Sequence, residues 1–316
     1  MNIDHPADTG RKPVPAMAWL LLCGLTLAWG SMWPFMKLAL TEVPLLTFRS
    51  SSALVAGLVM LVGAAAFGSR IRPAAGEFPK IFLVATFAVT LWFFLSALGV
   101  QYLTAGRAVL LAYTMPLFAM LIGVVGYGER ITLKRGFGVA SATAAVLILA
   151  WQDLFMAESG AGLPIGVVAM LGAAFCWSLG STLQKRFQFQ TPVHVLVGWM
   201  FLSGAVPLGI AAGVRDPAID WTELSLPVVS ASLCVTLISQ AFGLWCWSMI
   251  LKLTDVAFAS IAVLTVPLAT QVLSFIILGE TFGLTEGLGL VMILLGLTAV
   301  LPVGHMLRHL RGRSAT

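Results

Sequence analysis

Charge is scarce in this 316-residue chain, and its distribution excludes more than its amount. Only 10% of residues are Asp, Glu, Lys or Arg, against 59% apolar and a mean hydropathy of +0.98, too little polar surface to cover a water-soluble fold. All thirteen acidic residues, with Glu129, Asp153, Asp255 and Glu280 among them, fall in tails, connections or the ends of apolar runs. The four histidines, His5, His194, His305 and His309, do the same. A proton-coupled cation antiporter needs a mid-membrane carboxylate or imidazole where cation and proton compete, so a mechanism of the small-multidrug type is disfavoured. An intramembrane enzyme is disfavoured too, because no His-rich constellation, acid pair or serine with a base stands inside the apolar runs. The four cysteines, Cys23, Cys176, Cys234 and Cys246, lie in apolar runs without metal-ligand spacing and read as packing residues. No metal or cofactor is expected. Long polar connections are also missing: the longest, near 152–163 and 214–225, could not hold a soluble domain.

What the chain has in abundance is long apolar segments. A spanning helix needs about 20 mostly apolar residues, and ten such runs appear, at roughly 16–37, 45–67, 79–101, 105–127, 134–151, 164–184, 193–213, 226–250, 256–278 and 285–304. The expected fold is an all-α integral membrane protein with ten transmembrane helices. Residues 1–15 are polar with two prolines and read as a short tail rather than a cleaved leader, because the run that follows is too long for a signal-peptide core. Residues 305–316 read as a basic tail. A pI near 9.3 could suggest nucleic acid, but the basic residues are spread through connections and not along one face, so the partner is the lipid bilayer. If the N-terminus is cytoplasmic, fourteen of the eighteen Lys and Arg residues fall on the cytoplasmic side, and only Lys37, Arg49, Arg107 and Arg215 on the other. That bias places both termini inside.

Residues 113–138, YTMPLFAMLIGVVGYGERITLKRGFG, recur 151 positions later as LTVPLATQVLSFIILGETFGLTEGLG. Eight of 26 positions agree without a gap, and the Pro and the Gly-Glu pair keep their spacing. Such self-similarity marks an internal repeat: 16–151 as a first five-helix half and 164–304 as a second. Five spans per half is odd, so the second half enters the membrane inverted. The first copy ends in ERITLKRG with three basic residues, the second in ETFGLTEG with none. Trp29 and Lys37 also stand 148 positions before Trp177 and Lys185. Inverted halves place a two-fold axis in the membrane plane, the geometry of alternating access around a midplane site.

These features carry a resemblance. The two five-span halves, the WGS at Trp29-Gly30-Ser31, the Pro-Leu followed by Gly-Glu in spans four and nine, and the Trp-rich eighth span resemble the EamA branch of the drug/metabolite transporter superfamily. Within it the chain is similar to the YddG-type exporters of aromatic and other neutral amino acids. The resemblance implies a ten-helix exporter of the bacterial inner membrane with its substrate cavity between the halves.

Polar and aromatic side chains inside apolar spans need a reason to be there. In span nine Ser260, Leu264, Pro267, Gln271 and Ser274 recur at helical spacing, and the repeat maps them onto Val109, Tyr113, Pro116 and Met120 of span four. Span three offers Trp92 and Ser96, spans one and six offer Trp29 and Trp177, and span eight offers Gln240 and Trp247 on one face, Trp245 and Ser248 on another. Trp19, Trp151 and Trp221 lie near span ends and read as interfacial anchors. The candidate substrate-binding residues are Trp29, Trp92, Ser96, Tyr113, Trp177, Gln240, Trp245, Ser248 and Gln271. Pro116 and Pro267 are hinges or kinks, and Glu129 and Glu280 are caps or loop anchors.

A cavity of Trp, Tyr, Ser and Gln suits a solute with one apolar and one polar end, and neutral amino acids fit. The expected function is facilitated export of such metabolites, with no enzymatic activity. The rivals are another metabolite or drug class in the same fold, proton-coupled or not, and an intramembrane enzyme. Nucleotide sugars and organic phosphates would need several cations in the cavity, and Lys37, Arg49, Arg107, Lys185 and Lys252 are all expected at span ends.

Overall fold

A computed structural model of the chain describes residues 15–127, 133–155, 165–254 and 256–300, and every regular element among them is a helix. Helix α1 spans Ala16–Ala39, α2 Leu45–Ala66 and α3 Phe78–Tyr102. A broken span follows, α4 at Ala105–Ala112 and α5 at Met115–Tyr127, then α6 at Leu133–Phe155. The second half holds α7 (Ile165–Phe187), α8 (Val193–Arg215), α9 (226–253), α10 (Val256–Leu278) and α11 (Leu284–Val300). Among the described residues seven helical segments are long and apolar enough to cross a membrane, with three shorter apolar segments at Gly136–Leu149, Thr265–Leu278 and Leu284–Gly296. Both tails expected from the sequence lie almost wholly outside the described residues.

The distribution of side chains is that of a protein solvated by lipid. Leu58, Val62, Val206, Ile210, Phe275 and Ile276 point outward, while Ser52, Ser96, Thr236, Gln240, Thr270 and Ser274 are buried. Hydrocarbon gives helices no hydrophobic reason to associate, so small residues and interhelical hydrogen bonds hold them together. The main packing pairs each join one helix from the first half to one from the second: α2 with α8, α6 with α11, α1 with α10, and α3 with α7. At the α2–α8 crossing a Cβ on Gly57 would lie 3.0 Å from the Gly198 carbonyl oxygen, and at the α3–α7 crossing one on Gly180 would lie 2.7 Å from Ala88 Cβ. Any larger residue there would force the backbones apart.

The two prolines of the repeat behave differently. Pro116 stands second in α5, and its ring and missing N–H end α4 at Tyr113–Thr114 by excluding a helical bond to the carbonyl four residues back. The Ser178 hydroxyl on α7 donates to the Met115 carbonyl at 2.6 Å. Pro267, its counterpart, lies inside an unbroken α10. Two further irregularities had no sequence signal. Helix α3 passes through a π-helical stretch at Thr86–Leu91 and α9 through one at Cys234–Phe242. The stretches end 151 positions apart, the offset of the sequence repeat.

Carboxylates in the connections bind the starts of other helices, where unpaired N–H groups and the helix dipole favour negative charge. Asp216 accepts from the Thr47 N–H and hydroxyl at 2.7 and 2.8 Å in the first turn of α2. Glu42 accepts from the Ser225 N–H and hydroxyl at 2.8 and 2.6 Å just before α9. Glu77 accepts from the Gln190 N–H at 2.7 Å and the Thr191 hydroxyl at 2.5 Å ahead of α8. The Thr191 hydroxyl first, then the Gln190 N–H, holds the Glu77 carboxyl below its ordinary range.

Candidate functional site

The most concentrated group of candidate residues is an aromatic cluster between α1, α3 and α7. Trp92 and Trp177 lie with ring centroids 5.3 Å apart, tilted by 53°. Trp33, absent from the sequence-based candidates, packs edge-on against Trp92 at 6.3 Å. Trp92 is buried, whereas Trp177, midway along α7, is 39% exposed, so this cluster has one open indole and two closed ones. Ser96, one turn beyond Trp92, is buried and donates to the Phe93 carbonyl at 3.3 Å. Such a surface receives an apolar ring by offset or edge-on packing.

The remaining candidates lie elsewhere. Gln240 donates from Nε2 to the Ser52 hydroxyl at 2.8 Å, joined there by Thr236 at 3.1 Å, and among the described residues its Oε1 has no partner. Gln271 donates to the Gly106 carbonyl at 3.1 Å, and a Cβ on Gly106 would lie 2.2 Å from its Oε1, so this amide fastens α10 to α4. Tyr113 is buried at the break between α4 and α5. Trp29 faces Trp247 at 5.8 Å across α1 and α9, while Trp245 turns the other way, 52% exposed and stacked on Phe242. The side chains of Ser248, Ser260 and Trp151, and all of Glu129, lie outside the described residues. Trp19 and Trp221 are exposed.

A second construction ties helix ends together at one end of the bundle. Lys37, in the last turn of α1, donates to Glu280 Oε1 at 3.0 Å and to the Leu103 carbonyl at 2.7 Å. Glu280, just past α10, also accepts from the Ala105 N–H at 3.0 Å and the Gly106 N–H at 3.4 Å. Arg107 Nε stands 3.8 Å from Glu286 Oε1, and the other oxygen of Glu286 accepts from the Gly283 N–H at 3.1 Å. The glutamate of the repeated Gly-Glu pair thus clasps the start of α4 to α1 and α10. Its counterpart of the other copy would be Glu129 with Lys185, and Lys185 is exposed.

Sequence reasoning also missed Arg49. The sequence suggested an interfacial end, yet it is the fifth residue of α2 and 1% exposed. Counting from Pro44, the N-cap, would have placed it more than one turn inside the helix.

The EamA-like transporter family model matches this sequence twice, over residues 16–151 and 164–301. The chain belongs to the EamA-like transporter family. It is a multi-pass membrane protein and a transporter. Among relatives, an uncharacterized transporter of Bacillus subtilis (strain 168), YvbV, is 28% identical over 287 residues, covering 89% of this chain and 90% of its own. A probable terminal-alkyne amino-acid exporter of Streptantibioticus cattleyicolor is 22% identical over 263 residues, covering 83% and 85%. A protein of known crystal structure superposes with a TM-score of 0.60 at 20% identity, covering 89% of this chain and 95% of the other. That likeness bears on the fold alone.

Proposed function

We propose that this EamA transporter exports small amphipathic solutes, aromatic and other neutral amino acids above all, from the bacterial cytoplasm by alternating access. The observation that carries this reading is the half-open Trp177 packed at a tilt against Trp92 in mid-bundle, an apolar receptor beside hydroxyl groups and a break in the helix at Tyr113–Thr114. A relative named a probable terminal-alkyne amino-acid exporter supports the same solute class. The halves are inverted repeats with both termini cytoplasmic, which accounts for the recurring π-helical stretches and the distribution of basic residues. In this reading the end sealed by Lys37, Glu280 and the start of α4 faces away from the cytoplasm. Solute enters from the opposite end, where Lys185 is exposed and has no such clasp among the described residues, and leaves when the first clasp opens and its counterpart closes.

Transport is facilitated. The carboxylates Glu42, Glu77, Asp216, Glu280 and Glu286 all bind helix starts near the ends of the bundle, away from the mid-bundle aromatic cluster. A zwitterion carries no net charge, and the membrane potential does no net work on it. Purified protein in liposomes should equilibrate radiolabelled phenylalanine with no imposed pH gradient or potential, and ionophores should leave the rate unchanged. Uptake that concentrates the solute only under a proton gradient would refute uniport, and no uptake across a panel of neutral amino acids would refute the solute class.

A further inference from the structure

Arg49 is a buried cation with no ion-pair partner among the described residues, and it takes no part in the clasp. Its guanidinium carbon lies 3.7 Å from the centroid of the Phe93 ring and 5.9 Å from that of Phe48. Nε donates to the Phe93 carbonyl at 3.1 Å, and Nη1 approaches Met36 Sδ at 3.5 Å. Among the described residues Nη2 has no partner and no carboxylate pairs with the group. A thioether is a weak acceptor, and a ring face offsets only part of the cost of taking a full charge out of water. A methionine or leucine at this position would hold α1, α2 and α3 together without that cost. Ionisable groups kept inside a membrane protein against such a penalty mark substrate paths.

Its location ties the charge to the aromatic cluster. The Phe93 carbonyl that holds Nε belongs to the residue after Trp92, and the Ser96 hydroxyl shares that carbonyl. A solute whose ring lies on the Trp92–Trp177 pair would thus sit beside the turn of α3 that Arg49 holds. A guanidinium with an unused donor edge is the natural partner of a carboxylate, which it binds with paired, charge-assisted hydrogen bonds.

We propose that Arg49 is the residue that recognises the carboxylate of the transported solute. The inference rests on the amino-acid reading above and deepens it, assigning the aromatic cluster to the apolar end and Arg49 to the anionic end. Binding of phenylalanine and of phenylalaninamide, which lacks the carboxylate, to purified protein tests it by calorimetry. The wild-type protein should prefer the acid by about ten- to a hundredfold, the range for hydrogen bonds to a charged group. Arg49→Met should bring the ratio near one by weakening the acid alone, and Arg49→Lys, which lacks the planar fork, should keep part of it. A merely structural arginine would lower stability in Arg49→Met and leave the acid-to-amide ratio untouched; that result overturns the proposal, as does a wild-type ratio near one. If Arg49→Met fails to fold, the wild-type ratio and its decline in Arg49→Lys decide. If the wild-type protein binds no amino acid, the solute reading fails by itself, and 3-phenylpropionate, a carboxylate without an amino group, decides Arg49: the proposal stands if the wild-type protein binds it about tenfold or more tighter than 3-phenylpropionamide, and falls otherwise.

Discussion

Removing the charge of Glu280 should loosen the end of the bundle where it ties α10 to α1 and α4, and the bonds at that carboxylate set the size of the effect. Its pair with Lys37 is 3.0 Å long, but the Lys37 side chain is 31% exposed, which limits the pair to about 1 kcal/mol or less. The two N–H donors at the start of α4 belong only to Glu280. One lies at 3.0 Å and one is weak at 3.4 Å, together about 1–2 kcal/mol for a partly buried anion at a helix start. Glu280→Gln keeps a carbonyl acceptor in place, so the expected loss is about 2 kcal/mol, or roughly thirtyfold in the balance between sealed and open. Lys37→Gln leaves the α4 contacts and should cost about 1 kcal/mol or less, roughly fivefold. Leu103, whose carbonyl accepts from Lys37 and which is 4% exposed, is a suitable reporter. A cysteine there, in a background lacking Cys23, Cys176, Cys234 and Cys246, should react slowly with an impermeant maleimide and about thirtyfold faster in Glu280→Gln. An unchanged rate, or a larger effect from Lys37→Gln than from Glu280→Gln, would refute the reasoning, since it would mean that the α4 donors contribute nothing.

Ala substitution at Trp92 or Trp177 should lower transport of aromatic amino acids about tenfold, from the loss of about 1–2 kcal/mol of ring contact, while Trp221→Ala leaves it near wild type; liposome uptake with equal insertion reads both. Because the Thr191 hydroxyl and the Gln190 N–H hold the Glu77 carboxyl below its ordinary range, its stabilisation is complete above the unfolded value of about 4.3 and disappears as pH falls through the lowered folded value. Thermal unfolding in detergent should therefore show Glu77→Gln less stable than wild type at neutral pH, with the gap closing below about pH 4; a gap constant with pH would exclude the carboxylate as its source. Cysteines replacing Thr132 and Gly283 in the same cysteine-free background should label from opposite faces of the membrane, and labelling from one face would end the inverted-repeat reading.

Hydropathy runs and the Pro…Gly-Glu repeat were sufficient to mark an all-helical membrane protein and its family; that Trp92, Ser96 and Trp177 share one region is a result of the fold. These signals are local: whether a segment is apolar, and at what period, depends on its own residues. The sequence also suggested that Glu280 anchors a loop, but not that its partners would be Lys37, 243 positions away, and the start of α4. Arg49 looked like an interfacial cation and became the most buried charge among the described residues, because α1 and α3 close over the first turns of α2. Gln271 belonged to a periodic polar stripe, yet its amide is fastened to Gly106, and Trp33, not among the sequence candidates, meets Trp92 only because α1 packs beside α3. Only the tertiary structure could decide these outcomes, since a polar or aromatic side chain in an apolar helix takes its role from whichever distant segment packs against it.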